Sequence, residues 1–174
     1  PAPVVKDGCL YVHYGSAGTA CIDTATDVIT WTRQDLPCDH HRGPGSSPIV
    51  FEDKLFLTFD GFDQQYVIAL DAKTGKTIWR TDRSIHYGSN DGDFKKAYCT
   101  PTIVTHNNRT QLVSPAAVAT VAYDPDNGEE LWTVYHGGFN AAARPLYSHG
   151  LVVICTAQGD RLLAVRPDGT GDIT

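Results

Sequence analysis

Three copies of one eleven-residue phrase constrain the fold of this chain more than any other feature of its sequence. The clearest copy is ALDAKTGKTIW, and the related copies are CIDTATDVITW and AYDPDNGEELW, which span residues 69–79, 21–31 and 122–132. All the tryptophans of the chain fall at the last position of the phrase: Trp31, Trp79 and Trp132. They lie 48 and 53 residues apart. Self-similarity at this spacing predicts an architecture assembled from similar units.

A second pattern precedes each phrase. The segments PVV, PIV and PTI begin at Pro3, Pro48 and Pro101, and each is followed by a short turn and a β-rich run. Each unit therefore reads as four short strands, A to D, joined by tight turns. Four-stranded units of roughly 40 to 50 residues are typical of β-propeller blades. An immunoglobulin-like sandwich could share the strand spacing, but it would not place one tryptophan in each unit.

We therefore predict an all-β chain that forms a segment of a β-propeller with four-stranded antiparallel blades. The expected blades are residues about 3–31, 48–79 and 101–132, with a partial blade at about 144–174 that supplies strands A, B and C. Closed propellers carry roughly four to eight blades. Three and a half blades are thus expected to belong to a larger ring, in which the remaining blades of the parent chain are packing partners.

The phrase at 69–79 resembles the tryptophan-docking repeat of the pyrroloquinoline-quinone-type propellers, whose pattern is roughly A-x-D-x-x-T-G-x-x-x-W. The second unit matches every defined position, whereas Asn127 replaces the threonine in the third unit and Asp27 replaces the glycine in the first. The closing AVRPDGTGDIT is similar to a phrase of secreted bacterial propellers of this superfamily, of planctomycete type. The resemblance covers essentially the whole chain and implies the fold.

The repeated positions are expected to be structural. Tryptophan buries a large aromatic surface between blades, and Asp with Thr-Gly shapes the turn from strand C to strand D. These positions are Asp23 and Trp31 in the first unit, Asp71, Thr74, Gly75 and Trp79 in the second, and Asp124, Gly128 and Trp132 in the third.

Charge and hydropathy exclude two classes of partner. The chain has 174 residues and a formal net charge of −6, whereas a nucleic-acid-binding protein normally presents a basic face. Its apolar runs all fall well short of the roughly 20 residues that span a bilayer, so no transmembrane segment is expected. The five cysteines are scattered without a C-x-x-C pair, which predicts neither a disulfide framework nor a zinc site. We interpret them as small buried hydrophobes in strands.

The connections between units indicate where a ligand would bind. The D-to-A connections are long, at residues 32–47, 80–100 and 133–144, whereas the A-to-B and C-to-D turns are minimal. Long loops in compact domains are usually functional. Because D-to-A and B-to-C connections share one side of a propeller, we predict a binding surface there, and we call it the D-to-A face.

Three cations precede strand A on these loops. Arg42, Lys96 and Arg144 could converge near the mouth of the central channel and attract an anionic ligand. The alternative is that they pair with Asp39, Asp91 and Asp93 on neighbouring loops.

Three stretches carry side chains that could bind a metal. The segment CDHHR places Cys38, His40 and His41 close together in sequence, but successive residues rarely face one ion, so loop histidines at a binding surface are the better interpretation. The segments DGFD, with Asp60 and Asp63, and SNDGD at 89–93 offer oxygen ligands, but neither fits an EF-hand loop. No metal is therefore predicted. The tentative binding set is His40, His41, Arg42, Asp60, Asp63, Lys96 and Arg144.

The resemblance leaves two functions open. The first is a non-catalytic scaffold that binds a protein or a small anionic ligand, without a cofactor. The second is a dehydrogenase that oxidises alcohols or sugars with pyrroloquinoline quinone and calcium. Alcohol-oxidising members of the family place two adjacent cysteines against the quinone, and this chain has no such pair. The scaffold is our prediction. The resemblance also implies a periplasmic or secreted location.

Overall fold

The computed structural model describes residues 1–156, 158 and 161–174, and its regular structure is almost entirely β. Three four-stranded antiparallel units follow one another along the chain. Their strands are β1 (Val4–Lys6), β2 (Cys9–His13), β3 (Thr19–Asp23) and β4 (Ile29–Arg33); β5 (Ile49–Phe51), β6 (Lys54–Asp60), β7 (Gln65–Asp71) and β8 (Thr77–Asp82); β9 (Thr102–His106), β10 (Arg109–Pro115), β11 (Ala119–Tyr123) and β12 (Glu130–Tyr135). The predicted propeller blades are confirmed.

A fourth unit has three strands, and the chain then returns to the third unit. The strands are β13 (Leu146–Ser148), β14 (Leu151–Cys155), β15 (Leu162–Val165) and β16 (Gly171–Asp172). Strand β16 pairs with β12 in parallel, so the third sheet has the order β16-β12-β11-β10-β9. The sequence did not predict this return. Within the described residues, no helix has the length and apolarity that crossing a membrane requires.

Tight hairpins connect strands A and B. In the first unit Lys6 pairs with Cys9, which leaves a two-residue loop of Asp7 and Gly8, with φ of 50° and 78°. A two-residue hairpin of type I′ needs positive φ at both central residues, because that twist matches the twist of the strands. The third unit meets the same demand with Asn107 and Asn108, whose short polar side chains tolerate this conformation.

The C-to-D turns of the first three units share a geometry that depends on an Asp carboxylate. In the second unit Oδ1 of Asp71 accepts hydrogen bonds from the backbone N–H and the hydroxyl of Thr74, both at 2.7 Å. The N–H of Gly75 then donates to the Asp71 carbonyl at 2.8 Å, with φ of 71° at the glycine. Asp27 adopts φ of 59° at the corresponding position of the first unit, so the turn survives that substitution.

Each of the first two tryptophans packs on the C-to-D turn of the following blade. The indole N–H of Trp31 donates to the carbonyl of Ala72, and that of Trp79 donates to the carbonyl of Pro125, both at 3.0 Å. A Cβ at Gly128 would lie 2.5 Å from the Trp79 ring. The glycine therefore serves two purposes, because it permits the positive φ and lets the indole lie flat against the turn.

Trp132 contacts the fourth blade through a side-chain bridge. Its indole N–H donates to Oε1 of Gln111 at 2.6 Å, and Nε2 of Gln111 donates to the carbonyl of Pro167 at 2.7 Å. Both Trp132 and Gln111 are almost completely buried. A fully satisfied buried amide thus takes the place of the direct indole–carbonyl bond seen at the two earlier interfaces.

The hydrophobic core lies between blades rather than within a single sheet. One apolar cluster joins the first and second blades around Leu57 and Ile68, and a second joins the second and third around Phe56 and Leu112. A third joins the third and fourth blades around Val152. Because each inner blade is covered on both sides, its central strands are apolar without interruption, as in the VIAL run of β7.

The cysteines differ from the sequence prediction. Cys9 and Cys21 form a disulfide between the adjacent strands β2 and β3, with 5.9 Å between their Cα atoms. The sequence did not indicate this bridge, because the hairpin brings together two residues that have no diagnostic spacing in sequence. The interpretation of all five cysteines as buried strand hydrophobes therefore does not hold for this pair. Cys38 and Cys99 are buried, but they lie in loops rather than strands, and Cys155 is exposed at the end of β14.

Removing the disulfide is expected to lower the free energy of unfolding by about 3 kcal/mol, because a bridge across 12 residues restricts the unfolded chain. The test is urea unfolding of the Cys9→Ser, Cys21→Ser double variant beside the wild-type protein with and without reductant. Cys155→Ser is the matched control, since that thiol is free and exposed. An unfolding midpoint for the double variant equal to that of the oxidised wild type would contradict the prediction.

Candidate ligand-binding site on the D-to-A face

Three successive D-to-A connections enclose one cavity of about 690 Å³. The first connection supplies two lining residues, the second three and the third two, and B-to-C turns of the second and fourth blades complete the wall. The lining residues are His41, Arg42, Asp93, Lys96, Tyr98, Phe139, Asn140, Phe62 and Gln158. The predicted surface therefore contains a cavity of the size that small ligands occupy.

Backbone hydrogen bonds fix the loops to one another. The N–H of Asn140 donates to the carbonyl of Lys96 at 3.1 Å, and the N–H of Tyr98 donates to the carbonyl of Ala141 at 2.7 Å. These two bonds join the second and third connections directly. On the other side, the N–H of Phe62 donates to the carbonyl of Asp39 at 2.8 Å, which ties the first connection to the second blade. The cavity walls are thus braced across blade boundaries.

Two of the three predicted cations line the cavity. Arg42 is exposed, and among the described residues its guanidinium has no hydrogen-bond or ion-pair partner. Lys96 is buried, its ammonium is paired with the Asp93 carboxylate, and it lies 5.0 Å from the centre of the Phe62 ring. Lys96 therefore follows the alternative considered above, pairing with a neighbouring aspartate, whereas Arg42 remains available to a ligand.

The remaining members of the predicted set lie outside the lining. Arg144 donates from Nε and Nη2 to the hydroxyl of Thr102, both at 3.2 Å. Asp63 accepts the backbone N–H of Asp39 at 2.7 Å, which makes it a loop-bracing residue. The two neighbouring histidines contact different aromatic rings. The ring centre of His40 lies 5.7 Å from that of Phe59, and the ring centre of His41 lies 4.8 Å from that of Phe62.

Asp60 belongs to a buried ion pair rather than to the ligand site. Arg83 donates from Nε and Nη2 to the two carboxylate oxygens of Asp60, at 2.6 and 2.8 Å. It also donates to the hydroxyls of Ser114 and Tyr123 on the third blade, at 2.8 and 3.2 Å. Burial disfavours the charge on Arg83, but the Asp60 carboxylate outweighs this and raises the pKa of the guanidinium. The charged network links the second and third blades.

A buried histidine lies beneath the first connection. His13 shares a 2.8 Å hydrogen bond between Nδ1 and the hydroxyl of Thr19, and its ring meets the Phe59 ring edge-on at 5.2 Å. No described residue pairs with its Nε2. Burial, with a smaller effect from the nearby His40, lowers the pKa of His13 from 6.5 to about 4.

We expect His13 to make the fold sensitive to acid. Its pKa in the folded protein lies below that in the unfolded chain, so its contribution is full above about pH 6.5 and is lost as the pH falls towards 4. The loss amounts to about 3 kcal/mol. In chemical unfolding at pH 7 and pH 4, His13→Gln should reduce the difference between the two pH values by that amount. His86→Gln, at an exposed position, is the control for removing an imidazole. An unchanged difference in His13→Gln would refute the prediction.

The fit of the site to a quinone and calcium can be tested on its donor groups. Among the described residues that line the cavity, Asp93 is the one carboxylate, and Lys96 already neutralises it. Calcium takes about six to eight oxygen ligands. Across the described part of the chain, no three His, Cys, Asp or Glu side chains are grouped closely enough to hold a metal ion. These residues do not fit a calcium-bound quinone.

Cys38 is a neutral thiol in the metal-free protein. Its Sγ lies 3.7 Å from Nδ1 of His40, and burial raises the pKa of the thiol to about 12.

Sequence reasoning missed the aromatic and amide residues of the cavity. Phe62, Tyr98 and Phe139 occur singly in polar loop segments, and no spacing relates them to the repeat. One feature of the sequence could have indicated them. A large aromatic side chain in a glycine- and aspartate-rich loop normally packs against another part of the protein or against a ligand. Phe139, for example, packs against Phe94 with 4.9 Å between ring centres.

Comparisons with known proteins agree with the propeller architecture. The family model described as Outer membrane protein assembly factor BamB matches residues 1–81 and 63–172. A search of curated protein sequences gives no significant match. Among solved structures, BamB from Moraxella catarrhalis is 13% identical with a TM-score of 0.64, and the alignment covers 97% of this chain and 53% of that one.

Two alcohol-oxidising dehydrogenases are similar in structure to a comparable degree. Quinohemoprotein alcohol dehydrogenase from Comamonas testosteroni is 13% identical with a TM-score of 0.69, over 97% of this chain and 34% of that one. A europium-containing methanol dehydrogenase is 20% identical with a TM-score of 0.58, over 78% and 24%. The chain thus spans from about a quarter to about half of the length of these proteins. At such identities the similarity concerns the fold alone.

Proposed function

Because the chain belongs to the family described as outer membrane protein assembly factor BamB, we propose that it is a non-catalytic binding propeller whose partner docks on the D-to-A face. The observation that carries the proposal is the cavity of about 690 Å³ enclosed by three successive D-to-A connections. Long loops braced by hydrogen bonds across blade boundaries are the usual way in which a rigid scaffold presents a binding surface.

The chemistry of the cavity favours binding over catalysis. Among the described residues its polar groups are a guanidinium, an imidazole, an ammonium paired with a carboxylate, a phenol and amides, and aromatic rings form much of the rest. Such a mixture fixes the orientation of a ligand but lacks the carboxylate-rich setting that a quinone with calcium would need. Adjacent cysteines, the other feature of alcohol-oxidising relatives, are absent from the sequence. The proposed partner is therefore a protein segment or a small anion, and no cofactor is part of the proposal.

An oxidising, extracytoplasmic location is part of the same proposal. The disulfide between Cys9 and Cys21 supports it, because disulfides persist outside the reducing cytosol. The matching family is described by a role in outer-membrane assembly, which points in the same direction.

Affinity selection in solution tests the proposed function. The full-length protein is incubated with a synthetic library of short peptides and small carboxylates, and bound members are identified by mass spectrometry and measured individually by calorimetry. Phe139→Ala, in the cavity wall, is expected to weaken the selected ligands by about tenfold or more, because it removes an aromatic contact surface. Ile78→Ala, an exposed apolar residue on strand β8, is the matched control.

Two outcomes would overturn the proposal. One is that the selected ligands bind Phe139→Ala and the wild type equally. The other is saturable quenching of tryptophan fluorescence by micromolar pyrroloquinoline quinone with calcium, together with oxidation of an alcohol or sugar by the loaded protein. That second outcome would establish the dehydrogenase instead.

A further inference from the structure

The cavity on the D-to-A face contains hydrogen-bonding groups that the protein itself leaves unused. The hydroxyl of Tyr98 and Oδ1 of Asn140 are buried, and neither has a hydrogen-bond partner among the described residues. Buried polar atoms are normally paired, and leaving one unpaired costs about 1–3 kcal/mol. Tyr98 and Asn140 both line the cavity, as does Arg42, whose guanidinium has no partner among the described residues. A small side-chain movement would let a ligand in the cavity reach the two unpaired atoms and complete their bonding.

The charge of the cavity selects the ligand. Lys96 and Asp93 neutralise each other, so Arg42 is the one charge in the lining without a counterion among the described residues. Burial raises the pKa of the Tyr98 hydroxyl, and the nearby Arg42 guanidinium opposes that rise. A guanidinium and a phenol O–H that line the same cavity can act as two donors for one carboxylate. The site is thus positive on a chain whose formal net charge is −6.

Asn140 places an acceptor in the same wall. A carboxylate offers no proton to Oδ1 of Asn140, so a ligand that satisfies the whole site must also carry a donor. The backbone N–H groups of a peptide meet this need at a short distance from its terminal carboxylate. Aromatic rings complete the lining: Phe62 packs against His41, and Phe139 packs against Phe94 just outside it. These rings suit an apolar or aromatic terminal side chain.

We propose that this cavity binds the free C-terminus of an extended peptide, with Arg42 and the Tyr98 hydroxyl holding the terminal carboxylate and Asn140 accepting a backbone N–H. The inference rests on the proposed function, which it narrows to one class of ligand. Capture of a terminal carboxylate is an established mode of peptide recognition in other folds. A volume of about 690 Å³ accommodates the last few residues and leaves the rest of the partner outside.

Calorimetry with three probes tests the proposal on the full-length protein. The first probe is an N-acetylated tripeptide of two alanines and a C-terminal phenylalanine, with a free carboxylate. The second is the same peptide with an amidated C-terminus. The third is 3-phenylpropanoate, which keeps the carboxylate and the ring but has no N–H group. We expect the free peptide to bind at least about tenfold more tightly than either of the others, because each lacks one of the charged or polar contacts.

Variants assign the contacts. Arg42→Gln should weaken the free peptide by about tenfold or more and leave the amide unaffected, whereas Tyr98→Phe should weaken it by about three- to tenfold with the ring retained. Lys73→Gln is the matched loss of an exposed cation on the opposite side of the propeller, and it should bind like the wild type. Near-ultraviolet circular dichroism of each variant shows whether its fold is intact.

The outcomes separate this inference from the proposed function. Equal binding of the free and amidated peptides, both weakened by Phe139→Ala, would overturn the carboxylate site and leave the binding surface in place. Binding of 3-phenylpropanoate as tight as that of the peptide would make the ligand a small carboxylate and overturn the peptide. Failure of all three probes to bind the folded wild-type protein would overturn the C-terminal site, and the library selection would then decide the broader proposal.

Discussion

Replacing Arg83 with methionine is expected to lower the free energy of unfolding by about 3 to 5 kcal/mol, which is among the largest effects of any single substitution in this chain. The substitution removes two hydrogen bonds to Asp60 and leaves that carboxylate buried without a counterion. The hydroxyls of Ser114 and Tyr123 lose their contacts with the guanidinium as well. Urea unfolding at pH 7, followed by tryptophan fluorescence, measures the change.

Strand β8, which ends just before Arg83, provides a control for this substitution. Arg80 also pairs with an aspartate, Asp82, but both side chains are substantially exposed. Its guanidinium also lies 3.7 Å from the centre of the Tyr66 ring, so Arg80→Met should cost about 1 to 2 kcal/mol, less than Arg83→Met. The double variant Asp60→Leu, Arg83→Met should recover part of the lost unfolding free energy, since it also removes the buried carboxylate that Arg83→Met leaves without a counterion. Equal stabilities of Arg83→Met and Arg80→Met would show that the buried pair does not hold the second and third blades together.

Replacing Trp79 with alanine is expected to destabilise the fold by about 3 to 5 kcal/mol, as the removal of a buried aromatic side chain does. The indole is 8% exposed, packs on the turn at Gly128 and donates to the carbonyl of Pro125. The loss comes from apolar contacts on both sides of the interface between blades. Thermal and urea unfolding of the variant give the value directly.

A conservative variant separates packing from hydrogen bonding at this position. Trp79→Phe keeps an aromatic ring against the turn but cannot donate to Pro125, so it should cost about 1 to 2 kcal/mol, less than the alanine variant. If Trp79→Ala unfolded at the wild-type midpoint, the indole would not be a structural element of the interface. If phenylalanine were as harmful as alanine, the hydrogen bond rather than the packing would dominate.

The blades could be predicted from the sequence because their determinants are local. Asp71, Thr74 and Gly75 form one turn within five residues, and the tryptophan follows at a constant distance, so the repeat was visible in the amino-acid order alone. Strand alternation and turn residues act over the same short range. The disulfide between Cys9 and Cys21 was missed because its formation depends on the diagonal register of β2 and β3, which no spacing rule expresses.

The candidate site was predictable in its place but only partly in its composition. Loop length indicated the D-to-A face, and Arg42 followed from its position before strand A. The partners of Lys96 and Asp60 could not be assigned, because each sequence segment offered several carboxylates or cations at similar distances along the chain. Tyr98 and Asn140 depend on how the second and third connections hydrogen-bond to each other, and that contact is invisible without the fold.

Because the chain returns at β16, the interfaces between successive blades differ in the number of contacts that hold them. Blades three and four share the parallel pairing of Trp132 with Gly171, the Gln111 bridge and a bond from Arg109 to the carbonyl of Gly169. Among the described residues the interface between the first and second blades has an arginine–carbonyl bond, from Arg33 to Gly75, but no paired return strand. Its tryptophan, Trp31, is only partly buried. Thermal opening of the array is therefore expected to start at this interface. We expect the pairing of β16 with β12 to make the last two blades separate later than the first two.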